Sequence, residues 1–145
     1  MNIALGSDHA GFHLKNIIVN YLKTTDRSPK DFGVFSEESS DYSDQAVLVS
    51  TAVLSGEYEY GILICGTGIG MSIAANKHKG IRAALCSETF SAHCARQHNN
   101  ANILTMGSRT IGPGLAVAIV EDFLSTPFKG GRHIRRLDKI KIIEE

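Results

Sequence analysis

The sequence predicts an α/β protein: a three-layer, doubly wound, five-stranded parallel sheet in the order 2-1-3-4-5, with an extra C-terminal helix. Three observations predict it. Short apolar runs alternate along the chain with segments whose apolar residues recur at helical spacing. The strand-like runs are nearly continuous, as strands covered on both faces are. A length of 145 residues, 43% of them hydrophobic, suits a single domain over residues 1–145 with one core.

Taken in order, Ile3, Ala4 and Leu5 read as a first buried strand, and Leu14, Ile17, Ile18, Tyr21 and Leu22 then share one helical face. Phe32, Gly33, Val34 and Phe35 form a less regular second strand. The polar stretch 36–41 offers N-cap candidates for a helix marked by Ala46, Val49 and Val53. Ile62, Leu63, Ile64 and Cys65 make the third strand, followed at once by glycine-rich 66–70 and a helix through 71–75. Ala83, Ala84, Leu85 and Cys86 form the fourth strand, with Ser87 placed to cap the helix carrying Phe90 and Cys94. Ile103, Leu104, Thr105 and Met106 form the fifth. Pro113 stands where a helix begins, ahead of the stripe Ala116, Ile119, Val120, Phe123 and Leu124. A last helix over 132–143, basic at its start, extends past the final unit and is expected to pack on a partner subunit. The layout resembles the flavodoxin-like version of the doubly wound fold. In such sheets ligands bind beyond the carboxyl ends of the strands, at the switch point between strands one and three. That places Gly6, Ser7, Asp8 and His9 beside residues 65–70.

Composition narrows the functions. Lys plus Arg number 15 and Asp plus Glu number 15, so nothing draws the chain in bulk to nucleic acid or to acidic lipid. An anion site must then be a local cluster. The three cysteines, Cys65, Cys86 and Cys94, are odd in number and contain no C-x-x-C pair. That argues against a disulfide framework or zinc ribbon and for a reducing compartment. The opening residues lack a basic flank and reach Asp8 before any apolar stretch of signal-peptide length, and no run is long enough to span a bilayer. A cytoplasmic protein is expected. No H-E-x-x-H or carboxylate–histidine cluster suggests a metal, and no cofactor is expected.

The loop Cys65, Gly66, Thr67, Gly68, Ile69, Gly70 ends a buried strand and opens a helix. Its glycines permit a tight turn with outward N–H groups, and the helix start adds partial positive charge. It can hold a phosphate or a developing oxyanion, and a plain tight turn reads from the same letters. A Walker loop would need a lysine that is absent. A dinucleotide fingerprint needs G-x-G-x-x-G where this chain has G-x-G-x-G, although Glu88 stands at a tolerable distance for a ribose-binding acid. A cysteine phosphatase would need arginine where Met71 stands. What remains is a thiol beside N–H donors, a setting that lowers a cysteine pKa from about 8.5. Cys86 and Cys94 fit the ordinary fate of free cysteine as a small hydrophobe.

Arg132 and Arg136 lie one helical turn apart, a spacing that suits a phosphate dianion as well as a solvated basic face. His9 sits at the first strand-to-helix turn, where an imidazole can donate to phosphate. His98 stands in the polar run 98–102 ahead of strand five, able to act as an acid or base near neutral pH or simply to end a helix. His13, His78 and His93 read as surface residues.

Five segments, read together, resemble the ribose-5-phosphate isomerase B family and its sugar-phosphate isomerase relatives over essentially the whole chain. They are 6–11 (Gly-Ser-Asp-His-Ala-Gly), 65–77, 80–86, 96–99 (Arg-Gln-His-Asn) and 130–133 (Gly-Gly-Arg-His). The resemblance implies an aldose–ketose isomerase of the pentose phosphate pathway that interconverts ribose 5-phosphate and ribulose 5-phosphate through an enediolate. By the family pattern Cys65 moves the proton between C1 and C2, and Thr67 relays a proton between the two oxygens. The N–H groups of Gly66, Thr67, Gly68, Ile69 and Gly70 stabilise the enediolate, with Asn99 nearby. His98 opens the furanose ring, and Asp8 binds sugar hydroxyls. His9, Arg132 and Arg136 clamp the phosphate, with Arg109 a further ligand-binding position. The family builds its site at a dimer interface, which implies a homodimer or a dimer of dimers. Ser43 stands where the family often has proline, which bears on where the second helix starts. Two other functions fit parts of the pattern. One is an isomerase of a six-carbon sugar phosphate such as allose 6-phosphate. The other is a non-catalytic phosphate-binding module, which leaves Cys65 and His98 unexplained.

Overall fold

The computed structural model describes all residues, 1–145. Five strands, β1 (Asn2–Ser7), β2 (Ser28–Asp31), β3 (Tyr60–Cys65), β4 (Ala83–Leu85) and β5 (Ile103–Gly107), alternate with α1 (Phe12–Lys23), α2 (Tyr42–Leu54), α3 (Ile69–Ala75), α4 (Thr89–Gln97) and α5 (Pro113–Ser125). A sixth helix, α6 (Arg132–Ile143), follows the last unit over the predicted residues. All pairings are parallel.

The strand order is β2-β1-β3-β5-β4, so the expected order 2-1-3-4-5 is corrected at one edge. The last two strands exchange places for a reason of burial. β5 is buried at all five positions, whereas β4 has three residues, none fully buried. The longer apolar run takes the centre and the short one the edge. The reversal of direction between β4 and β5 carries α4 to the opposite face from α3. One core of 19 buried residues lies beneath α1, α4 and α5, built around Ile18, Leu22, Leu104, Ile119 and Phe123. A smaller one of 10 lies beneath α2 and α3, around Val49, Leu63, Met71 and Ile103.

The second strand also differs from expectation. Regular pairing covers Ser28–Asp31 and not 32–35. Gly33 takes a left-handed φ of +98°, which interrupts the strand just where its apolar letters begin. The main chain still tracks β1: Phe32 N–H donates to Leu5 O and Val34 N–H to Ser7 O at 2.8 and 2.9 Å. Pro29 is tolerated because β2 is an edge strand. Beneath this segment the Lys15 ammonium, wholly buried, donates to both carboxylate oxygens of Asp31 and to Val34 O, each at 2.8 Å.

Asp41, within the stretch read as capping α2, is its N-cap, although it makes no side-chain cap bond. One helix start departs from the sequence reading. At α4 Glu88, not Ser87, is the cap, its carboxylate accepting the Ser91 N–H at 2.9 Å. Hydrogen bonding to Ser91 holds the Glu88 carboxyl below its usual range. That role replaces the ribose-binding one weighed for Glu88.

Candidate active site

The carboxyl ends of β1, β3 and β5 lie side by side, with Ser7 level with Ile64 and Cys65 level with Gly107. The turns that leave them bring Asp8, His9, Cys65, the loop 66–70 and Arg109 to one edge, the switch point predicted. Main-chain bonds fix this edge. Ser108 N–H donates to Cys65 O and Arg109 N–H to Gly66 O, at 2.9 and 3.0 Å. The Arg109 guanidinium lies along Gly66, where an added Cβ would stand 3.4 Å from Nη1. Gly68 needs its glycine twice over: φ is +81°, and an added Cβ would stand 2.5 Å from Leu85 and 2.8 Å from the Met106 main chain.

Cys65 is 4% exposed and is one of the residues of the smaller core. The Gly68 N–H donates to Sγ at 3.1 Å. A main-chain donor at sulfur is the partner a thiolate accepts. Of the loop's remaining donors, Ile69 N–H bonds the Thr67 hydroxyl at 3.2 Å, while the N–H groups of Gly66, Thr67 and Gly70 have no acceptor in the chain. Two of the five expected donors are thus engaged within the loop and three are free for an oxyanion. By contrast, burial, reinforced by Glu88, pushes the Cys86 thiol up to about 12, which leaves it inert. Cys94 is half-buried on α4.

Asp8 is buried and accepts the Gly11 N–H at 3.1 Å, which anchors the turn into α1 and leaves its second oxygen uncommitted. His9, half-buried, exchanges two hydrogen bonds with Ser40. The Tyr42 ring lies on Gly70, 2.6 Å from where a Cβ would be. Neither Ser40 nor Tyr42 carried a sequence signal beyond a polar stretch before a helix.

The structure does not bring the other candidates to this edge. Helices run antiparallel to the strands they follow, so the end of α4 lies at the amino ends of β3 and β5. Gly61 N–H donates to Asn102 O there. From the level of Ile103 to that of Gly107 is about 13 Å along the strand. His98, Asn99, Arg132 and Arg136 therefore form a second group at the far edge. His98 stacks on His133, ring centroids 4.5 Å apart and planes 17° from parallel, which ties α4 to α6. Burial first, then the charges of His98, Arg132, Arg136 and Lys129, holds the His133 imidazole below its usual range. Arg132 and Arg136 point to solvent on either side of it.

The 98–102 turn is held by two further arginines. Arg96, 4% exposed, stacks on Tyr60 and donates to Asn100 Oδ1 and Ala101 O. Arg82 donates to the carbonyls of Asn99 and Asn100 at 2.8 to 3.2 Å. Asn100 accordingly keeps a φ of +45°. Sequence reasoning gave no role to His133, Arg82 or Arg96, although all three stand in the segments it singled out. Only tertiary contacts reveal what they hold. None of the chain's four clefts has Cys65, Thr67 or His98 in its wall. Of the three expected surface histidines only His13, which pairs with Glu37, is exposed; His78 and His93 are half-buried, with His78 Nδ1 3.1 Å from Ala75 O and His93 Nδ1 3.3 Å from Asp122.

Comparison with known proteins finds relatives that match nearly the whole chain. The family model described as Ribose/Galactose Isomerase matches residues 3–140. Ribose-5-phosphate isomerase B of Escherichia coli is 50% identical over 143 residues, covering 99% of this chain and 96% of that one. The solved ribose-5-phosphate isomerase B of Clostridium thermocellum superposes with a TM-score of 0.98 at 50% identity, covering 99% of this chain and 97% of that one. That of Mycoplasma genitalium, with bound ribulose-5-phosphate, gives 0.94 at 46% identity, covering 99% and 95%.

Proposed function

The chain belongs to the ribose/galactose isomerase family, and we propose that it interconverts D-ribose 5-phosphate and D-ribulose 5-phosphate through an enediolate. The observation that carries this reading is Cys65: a thiol at the end of a central strand, with a main-chain N–H on its sulfur and free N–H donors one to five residues on. An enediolate needs a base for a carbon-bound proton and donors for the oxygen that becomes negative, and this edge holds both.

In the proposed sequence, His98 opens the furanose: its imidazole takes the proton of the anomeric O1 hydroxyl as C1=O1 forms and the C1–O4 bond breaks, and that proton is returned to O4. Cys65 then removes the C2 proton of the open aldehyde. The N–H groups of Gly66, Thr67 and Gly70 meet the oxyanion, and Asn99 assists. Thr67 passes a proton between O1 and O2, and Cys65 returns its proton to C1. Asp8 binds sugar hydroxyls. His9, Arg132 and Arg136 hold the phosphate, with Arg109 beside them.

A single chain keeps these groups on two edges, so the reading requires a second copy whose His98, Asn99, Arg132 and Arg136 face the first copy's Cys65. A homodimer supplies that. Ile69, Ile73 and Leu85, each 42% to 58% exposed near the loop, and Ile134, Ile140, Ile142 and Ile143 on α6, 42% to 83% exposed, are apolar surface that such a copy can cover. The reaction belongs to soluble sugar metabolism, and we place it in the cytoplasm. No helix is long and apolar enough to cross a membrane.

Direct turnover of ribose 5-phosphate against allose 6-phosphate by purified protein tests the assignment. Preference for the pentose is expected. Preference for the hexose would move the chain to the six-carbon reading, and turnover of neither would remove the isomerase reading.

A further inference from the structure

Ser40 and His9 are 31 residues apart and meet through two hydrogen bonds that run in opposite directions. The His9 main-chain N–H donates to the Ser40 hydroxyl, and the Ser40 main-chain N–H donates to His9 Nδ1, both at 3.1 Å. The second bond is chemically decisive. A main-chain N–H can only donate, so Nδ1 must carry a lone pair and no proton. A ring accepting at Nδ1 is neutral, with its proton on Nε2. No group in the chain bonds Nε2.

The segment that presents Ser40 is itself tied down. Asp31 Oδ1 accepts the Gly33 N–H at 2.8 Å, and the buried Lys15 holds Asp31 and Val34 from below. Ser7 N–H donates to Gly33 O and Val34 N–H to Ser7 O, at 2.8 and 2.9 Å. The loop from 32 to 40 is therefore fastened to the end of β1 at both sides of the turn that carries His9.

We propose that Ser40 is a positioning residue that holds His9 in its Nε2–H tautomer, so that His9 meets the substrate's phosphate as a neutral hydrogen-bond donor. This rests on the reading of His9 as a phosphate ligand. The charge on the clamp then comes from arginine alone, and His9 supplies direction. A guanidinium or an imidazolium could not occupy this position without giving up the Ser40 amide.

Nitrogen-15 NMR of the uniformly nitrogen-15-labelled protein near neutral pH tests it. The expected spectrum shows His9 neutral with its proton on Nε2, and a coupling across the hydrogen bond between the Ser40 amide nitrogen and Nδ1. Ser40→Pro, which removes that amide proton, is expected to lose the tautomer preference and raise KM for ribose 5-phosphate roughly tenfold with little change in kcat. Ser40→Ala, which keeps the amide, preserves the tautomer. A proton on Nδ1, an imidazolium, or no coupling in the unaltered protein would overturn the proposal, and that measurement stands even if Ser40→Pro does not fold. An unchanged tautomer in folded Ser40→Pro would also overturn it. The parent reading is separable: if His9→Ala leaves KM unchanged, His9 is no phosphate ligand, and the spectrum still decides what Ser40 does to the ring.

Discussion

The two ends of the sheet hold their polar groups in different ways. At the carboxyl ends of β1, β3 and β5 the main chain does the holding: Gly68 N–H on the Cys65 sulfur, Gly66 O under Arg109 N–H, Ser40 N–H on His9. At the amino ends side chains do it: His133 stacked on His98, with Arg82 and Arg96 gripping the carbonyls of the next turn. The first edge is built by topology inside one chain and carries the proposed base. The second is a presented surface, its Arg132 and Arg136 facing solvent. The proposed base lies on the first edge and the proposed ring-opening histidine and arginine clamp on the second, which is how a site divided between two copies would be arranged.

Four substitutions or conditions probe that division, in decreasing order of effect. Cys65→Ala should lower kcat by about 10⁴-fold while ribose 5-phosphate still binds; turnover near that of the unaltered protein would remove the thiol as base. His98→Asn should slow cyclic ribose 5-phosphate by about 10²-fold. Ribulose 5-phosphate has its 5-hydroxyl esterified and cannot close a furanose, so exchange of its C1 proton with solvent should persist in this variant. Equal losses in both assays would refute ring opening at the far edge.

Arg136→Ala should act mainly on KM. A charge-assisted bond to phosphate contributes about 1.5–3 kcal/mol, which is roughly a tenfold to hundredfold rise, and a change confined to kcat would contradict the clamp. The smallest effect concerns pH. Burial and positive neighbours depress the His133 value, so folding selects the neutral ring. Its contribution is complete above the unfolded value near 6.5 and is lost as pH falls below it. The melting temperature should therefore drop between pH 7 and pH 5.5 by less in His133→Phe, which keeps an aromatic stack without the titration. The same drop in both proteins would mean that the stack does not titrate.

The contrast between the edges also explains what could be read from the letters. The strand and helix units, the switch point and the Cys65 loop follow from local patterns: apolar runs, glycines and a cap in sequence. The strand order does not, because β4 and β5 differ in length and burial and not in local type. The displaced second strand was obscured by Gly33, whose left-handed turn is invisible beside the apolar Phe32 and Val34. Residues 98–102 looked polar and therefore functional, but nothing local says that α4 delivers them to the opposite end of the sheet from Cys65. Ser40, His133, Arg82 and Arg96 act through contacts made across the fold, some between residues tens of positions apart, and no single stretch of sequence encodes such a contact.

The central claim is that Cys65 of one copy works with the far edge of another. Mixing Cys65→Ala with Arg136→Ala under conditions of subunit exchange tests it most directly. Each mixed dimer would then contain one site with both Cys65 and Arg136 intact, so a protein almost without turnover and a protein of raised KM should together yield turnover at ordinary KM, approaching half the activity of the unaltered protein per mixed dimer. Mixed dimers that form and stay at the level of the parent variants would contradict the account.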